Sequence, residues 1–210
     1  EGMFDGTGAL RGSPGSRAMG LGRGGHRAQL TACRNSFTGD TPVLMADGEA
    51  KPIKDVRVGD EVVATDPETG LTATRKVTAE IVGVGIKHLV RIEVDTDGDA
   101  GDAVGFITAT TGHPVWNART KRWVEAKDLT PSDVLRTADG RSASVVSASV
   151  HVEALTVYNL TVVDLHTYYV LAGTVPVLVH NSGLCPEKID DVFHNPSGRS
   201  SQDQFEYHWD

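Results

Sequence analysis

An apolar run, Pro176-Val177-Leu178-Val179, leads directly into His180-Asn181-Ser182, three polar and chemically capable residues in succession. Asparagine is the side chain whose amide nitrogen can attack its own backbone carbonyl, closing a succinimide and cutting the peptide bond that follows. His180, just before it, could polarise that carbonyl or protonate the leaving amine, and Ser182, just after it, carries a hydroxyl nucleophile. Taken alone, Asn181-Ser182-Gly183 reads as readily as a turn ending a strand. Other groups stand upstream. Ser36-Phe37-Thr38-Gly39-Asp40-Thr41 offers a hydroxyl where one texture of sequence gives way to another, and Cys33 precedes it with a better nucleophile. Thr110-x-x-His113 closes a strand, followed by Tyr158-Asn159-Leu160-Thr161-Val162 and His166-Thr167-Tyr168-Tyr169. Each has an ordinary reading: a cap for Ser36, a loop residue for His113 before proline, a strand-edge histidine for His166, an inert thiol for Cys33.

The elements that must position these residues are short β-like runs separated by Gly, Pro and Asp turns. Expected strands are Thr41–Met45, Lys51–Ile53, Val56–Asp60, Glu61–Thr65, Arg75–Gly85, His88–Asp95, Gly105–Thr110, Val115–Asn117, Trp123–Ala126, Val134–Thr137, Ser144–His151, Val157–Val162, Thr167–Leu171 and Val177–Val179. No segment sustains a helical period over three turns, so the fold class is all-β in a single domain. Asp55-Val56-x-Val58-Gly59-Asp60-x-Val62 is echoed by Asp128-Leu129-x-Pro131-Ser132-Asp133-x-Leu135, and Thr41-Pro42-Val43 by His113-Pro114-Val115. Two copies at so long a period suggest a duplicated β-subdomain folded about a pseudo-twofold rather than a solenoid.

The flanks differ. Residues 1–32 are Gly-rich and read as flexible; residues 183–210 turn polar, with Ile189, Val192 and Phe193 hinting at a short helix, and read as the start of another, truncated domain. A net charge of −8 and a pI near 5.4, without a Lys/Arg-rich run, argue against nucleic acid as a partner. No apolar run reaches the ~18 residues of a membrane span. Cys33 and Cys185 lack zinc-knuckle or redox spacing, and no H-E-x-x-H or clustered ligand set occurs, so neither metal nor cofactor is expected. His26, His88, His151, His194 and His208 read as solvated surface residues.

Taken in order, these motifs resemble the Hint family, the fold of inteins and Hedgehog autoprocessing domains, and most closely its bacterial pretoxin branch, over residues 33–182. The resemblance implies a horseshoe-shaped β fold and single-turnover self-processing, with the chain's own flanking segments as substrate and a downstream toxin domain as the cargo. It implies that Ser36, or alternatively Cys33, attacks the preceding carbonyl. Thr110 and His113 would hold that peptide and protonate its departing nitrogen, and His166 would assist the second cleavage. His180 and Asn181 match the terminal pair, and Ser182 would accept the upstream acyl group before Asn181 cyclises. Many splicing relatives carry an acidic residue where this chain has Asn159; an amide cannot relay a proton as a carboxylate can, which shifts weight toward uncoupled cleavage at Asn181. A monomer is expected, from a parent protein that is secreted or at the cell surface. If the domain edges converge, Cys33 and Cys185 flank one centre and could pair. The competing class is a non-catalytic β-rich interaction module.

Overall fold

Alternating patterns punctuated by turn residues become twelve strands and two 3-10 turns in the computed structural model, which describes residues 35–98 and 103–181. The strands are β1 (Phe37–Thr38), β2 (Pro42–Leu44), β3 (Ala50–Pro52), β4 (Glu61–Thr65), β5 (Thr72–Asp95), β6 (Val104–Thr110), β7 (Pro114–Asn117), β8 (Arg122–Glu125), β9 (Val134–Arg136), β10 (Ser142–Val162), β11 (Thr167–Ala172) and β12 (Val175–His180). All pairings are antiparallel, in the order β3-β2-β11-β12-β7-β9-β10-β1-β6-β5-β4, with β8 on β7 and a second pairing of β10 with β5. That second pairing closes β10, β1, β6 and β5 into a circuit. The expected flanks 1–32 and 183–210 lie outside the described residues, as do Cys33, Ser182 and Cys185.

Two expectations change. The breaks expected at residues 86–87 and 152–156 are absent, so that β5 and β10 run unbroken for 24 and 21 residues. Their middles pair with each other, Ile86 opposite Ala154 and Val84 opposite Thr156. Residues 149–154 of β10 are all exposed, and the buried positions in the middle of β5 include Gly83 and Lys87, so no apolar alternation marks a strand there. Val56–Asp60 is a turn instead of a strand: the Asp60 carboxylate accepts from Arg57 N at 2.8 Å, and Gly59 takes φ 96°.

The internal echo is structural. The shift that carries the 3-10 turn Ile53–Asp55 onto Ala126–Asp128 also carries Arg57 N→Asp60 Oδ2 onto Thr130 N→Asp133 Oδ2. Ile53 N→Thr41 O is matched by Ala126 N→His113 O, and Ala46 N→Glu61 O by Ala118 N→Val134 O. The long strands are related in the same sense, by a shift of their own that is a few residues shorter. The shift taking Val77 to Val145 takes Val94 to Val162, and the ladder pairs Val77 with Val162 and Val94 with Val145. Exchanging the two strands therefore leaves the register intact, and Ile86 faces Ala154, its own counterpart. The two register shifts, at Thr78 and Val146, are counterparts as well. One contiguous core, including Phe37, Val62, Ile92, Leu135, Leu160 and Tyr168, lies beneath both copies.

Candidate active site

Ser36 is carried into the interior by the residue after it. Phe37 pairs with Tyr158 on one side and Ala109 on the other and is fully buried, its ring centroid 4.0 Å from that of His113 and 6.4 Å from that of Tyr168. Anchoring so bulky a ring in a two-residue strand leaves Ser36 no exposure. Thr110, the last residue of β6, receives it. Ser36 N donates to Thr110 Oγ1 at 2.8 Å, and Thr110 N donates to Ser36 O at 2.8 Å. Neither Ser36 Oγ nor either ring nitrogen of His113 has a hydrogen-bond partner, although all are buried. Burial, with His180 adding to it, pushes the His113 pKa down to about 3, so the imidazole is neutral near pH 7 and offers one lone pair and one N–H.

The duplication supplies an internal control. Thr38-x-x-Thr41 occupies in the first copy the turn that Thr110-x-x-His113 occupies in the second: Thr41 N→Thr38 O measures 3.1 Å and His113 N→Thr110 O 3.0 Å. In the first copy the two hydroxyls satisfy each other at 3.1 Å. The same backbone thus permits a satisfied pair, and the unengaged atoms of His113 are no requirement of the fold. Among the described residues six buried side-chain polar atoms lack partners, and Ser36, His113 and His166 account for all of them except two arginine Nε atoms. Buried polar atoms left without partners call for an explanation beyond packing.

The C-terminal junction is held from the other side. Asn181 N, at the end of β12, donates to His166 O at 2.7 Å. His166 has φ 53° and Asp164 φ 64°, two non-glycine residues in left-handed conformation within one tight turn. The Asn181 side chain is buried: Nδ2 donates to Leu160 O at 2.7 Å and lies 3.2 Å from Thr161 Oγ1. The His180 ring packs against Trp123 with centroids 5.0 Å apart and stands 6.4 Å from the His166 ring. Burial, and then His166, lower the His180 pKa, so it too is neutral near pH 7.

Asn159 joins the two junctions. Its Nδ2 donates to Asn35 O at 2.6 Å, the carbonyl that Ser36 would attack, and lies 3.2 Å from Asn181 Oδ1. Its Oδ1 accepts from Leu160 N at 2.8 Å and from Tyr168 Oη at 2.6 Å. A carbonyl can only accept and a backbone N–H can only donate, so these contacts fix which end of the amide faces which partner. Burial raises the Tyr168 pKa, which keeps the phenol protonated and donating. Ser36 is thereby brought directly against Thr110, Asn35 and Asn181 meet through Asn159, and His166 is tied to Asn181 through its backbone. Sequence reasoning treated Asn159 only as a departure and overlooked Phe37, Tyr168 and Trp123. The available signal was an amide in the apolar context of β10. No group of three or more metal-ligating side chains occurs among the described residues.

This architecture, with Asn35 and Asn181 at one centre, is that of the Hint fold shared with inteins. The chain belongs to the pretoxin HINT domain family, whose description matches residues 43–182. The bacterial intein-like domain from Clostridium thermocellum is similar at 30% identity with a TM-score of 0.61, over 71% of this chain and 100% of that one. The DnaB intein from Synechocystis sp. PCC 6803 is 21% identical with a TM-score of 0.57, over 70% of this chain and 99% of that one. The TvoVMA intein is 20% identical with a TM-score of 0.57, over 71% of this chain and 99% of that one. No curated protein matches. The chain is therefore an autoprocessing-type domain in the general sense of its family.

Proposed function

We propose that the domain cuts its own backbone at Asn35–Ser36 and Asn181–Ser182, in one turnover and without a cofactor, releasing or ligating its flanks. The observation that carries this reading is the meeting of the Asn35 carbonyl and the Asn181 side chain on one amide. In the first step Ser36 Oγ adds to the Asn35 carbonyl and the peptide becomes an ester, with neutral His113 handling the proton that passes to Ser36 N. Cys33 remains the alternative nucleophile. In the last step Asn181 Nδ2 attacks its own carbonyl carbon, the bond to Ser182 breaks, and the proton leaves with the new amine, aided by His166 and His180. If the acyl group first reaches the Ser182 hydroxyl, residues 1–35 become joined to 182–210; if it does not, the segment after Asn181 is released. Holding nucleophile and carbonyl at attack distance can replace ~7–11 kcal/mol of barrier, enough to make a slow deamidation-like reaction useful.

The substrate is the chain's own flanks, the working unit a monomer, and the released segment, from the family's pretoxin description, a toxin. Intact-mass time courses of wild type, Ser36→Ala, Cys33→Ala and Asn181→Ala test the reading. Splicing yields a joined-flank product, cleavage yields separate fragments, and Asn181→Ala abolishes C-terminal scission. A wild-type chain that keeps its full mass over days refutes the reading and leaves the interaction module.

A further inference from the structure

We infer that Asn159 is a catalytic residue shared by both junctions: its amide N–H groups stabilise the oxyanion that forms on Asn35 and activate the Asn181 amide for cyclisation. The inference rests on the proposed self-processing. When Ser36 Oγ adds to the Asn35 carbon, a C–O bond forms and the π pair moves onto Asn35 O. That oxygen already accepts from Asn159 Nδ2 at 2.6 Å, from an amide that is itself buried while Asn35 is half-buried. A donor in place before charge develops needs no reorganisation, the condition under which it lowers a barrier most. The pair then returns, the bond to Ser36 N breaks, and that nitrogen gains the proton lost by Oγ.

The second N–H works on a different atom. Asn181 Oδ1 accepts from Asn159, while Asn181 Nδ2 donates to Leu160 O at 2.7 Å. Donation to the oxygen and acceptance from the nitrogen both pull the Asn181 amide toward its imidate form, in which the nitrogen lone pair is available for attack; the Nδ2 proton given up passes to the departing Ser182 nitrogen as the Asn181–Ser182 bond breaks. A carboxylate at 159, as in many splicing relatives, could relay a proton but would present only acceptors to Asn35 O and Asn181 Oδ1. The amide reverses that polarity. Leu160 N and the protonated Tyr168 phenol hold the amide the right way round.

The test uses the full chain, with the Asn35–Ser36 ester trapped by hydroxylamine and scission after Asn181 followed by intact mass. Thermal unfolding is recorded for every variant. Asn159→Ala is expected to slow both events, each by about 100-fold, the usual effect of removing one oxyanion donor. Asn159→Asp is expected to be similarly slow near pH 7 and to recover as pH falls through the carboxylate range, where the neutral acid regains a donor; the wild type shows no such gain. Tyr168→Phe, which leaves Asn159 in place, is expected to slow both events several-fold, and it decides the matter if Asn159→Ala fails to fold. Asn159→Asp as fast as wild type near pH 7, or a folded variant slow at one junction only, overturns the inference while self-processing stands. A wild-type chain inert at both junctions removes the two together.

Discussion

His113 sits where an imidazole is least able to hold a charge, and this makes a prediction about acid. Its pKa is about 3 in the folded chain against 6.5 when exposed, so protons favour the unfolded state. Above 6.5 neither state binds the proton and stability is unaffected; as pH falls from 6.5 toward 3 the unfolded state alone is protonated, and stability declines by up to about 1.4 kcal/mol per pH unit. His180, with its pKa lowered for the same reason, acts in the same direction. Chemical denaturation of His113→Gln is therefore expected to show a shallower loss of stability than wild type on acidification. Thr110 makes a second prediction at this scale. Thr110→Val keeps the shape but leaves the buried Ser36 N–H without an acceptor, which is expected to destabilise by about 1–3 kcal/mol and to slow hydroxylamine-sensitive ester formation. Thr110→Ser, which keeps the oxygen, should recover most of both losses.

At the scale of elements, β6 crosses the β11–β12 turn with no room for a side chain. A Cβ on Gly105 would stand 2.2 Å from Ala172 O and 2.5 Å from Gly173 N, backbone atoms that cannot move alone. Gly105→Ala is expected to cost at least about 2 kcal/mol in denaturant melts, with the added burden that β6 delivers Thr110 to Ser36. Elements of this kind set the limit of what the sequence disclosed. β11 and β12 were legible, as Thr167–Leu171 and Val177–Val179, because hydrophobic residues crowd between turn signals, and the duplication because paired aspartates recur at matched positions. The unbroken β5 and β10 were not, since residues 149–154 of β10 all face solvent and the buried positions in the middle of β5 include Gly83 and Lys87, which show no apolar alternation. β1 was missed as well: two residues are too few to show a period, although Phe37 is the anchor on which Ser36 depends. The site residues were read from order and type; Asn159 was read only against the carboxylate of relatives, because the carbonyls of Asn35 and Asn181 that it meets lie far from it in sequence.

At the scale of the molecule, the two copies differ where they need to differ. Their shared core is buried throughout, while the middle of the β5–β10 arm lies open, with Ile86 74% exposed at the symmetric position. Substituting there should matter little: Ile86→Thr is expected to stay within about 0.5 kcal/mol of wild type. Ile92→Ala, deeper on the same strand, is expected to lose about 2–5 kcal/mol, and equilibrium unfolding distinguishes the two. The arm's register carries a consequence for how such a molecule could have arisen. Every antiparallel ladder survives exchange of its strands, but irregularities at matched positions, Thr78 and Val146, are what a contact between two identical subunits across a twofold axis would leave behind. A half-length ancestor would have met its twin with residue 86 facing residue 86, and gene fusion would have made that homodimer one chain. Fusion also frees the halves to diverge, which is why one of them can keep the self-contented Thr38–Thr41 turn while the other bears the restless histidine.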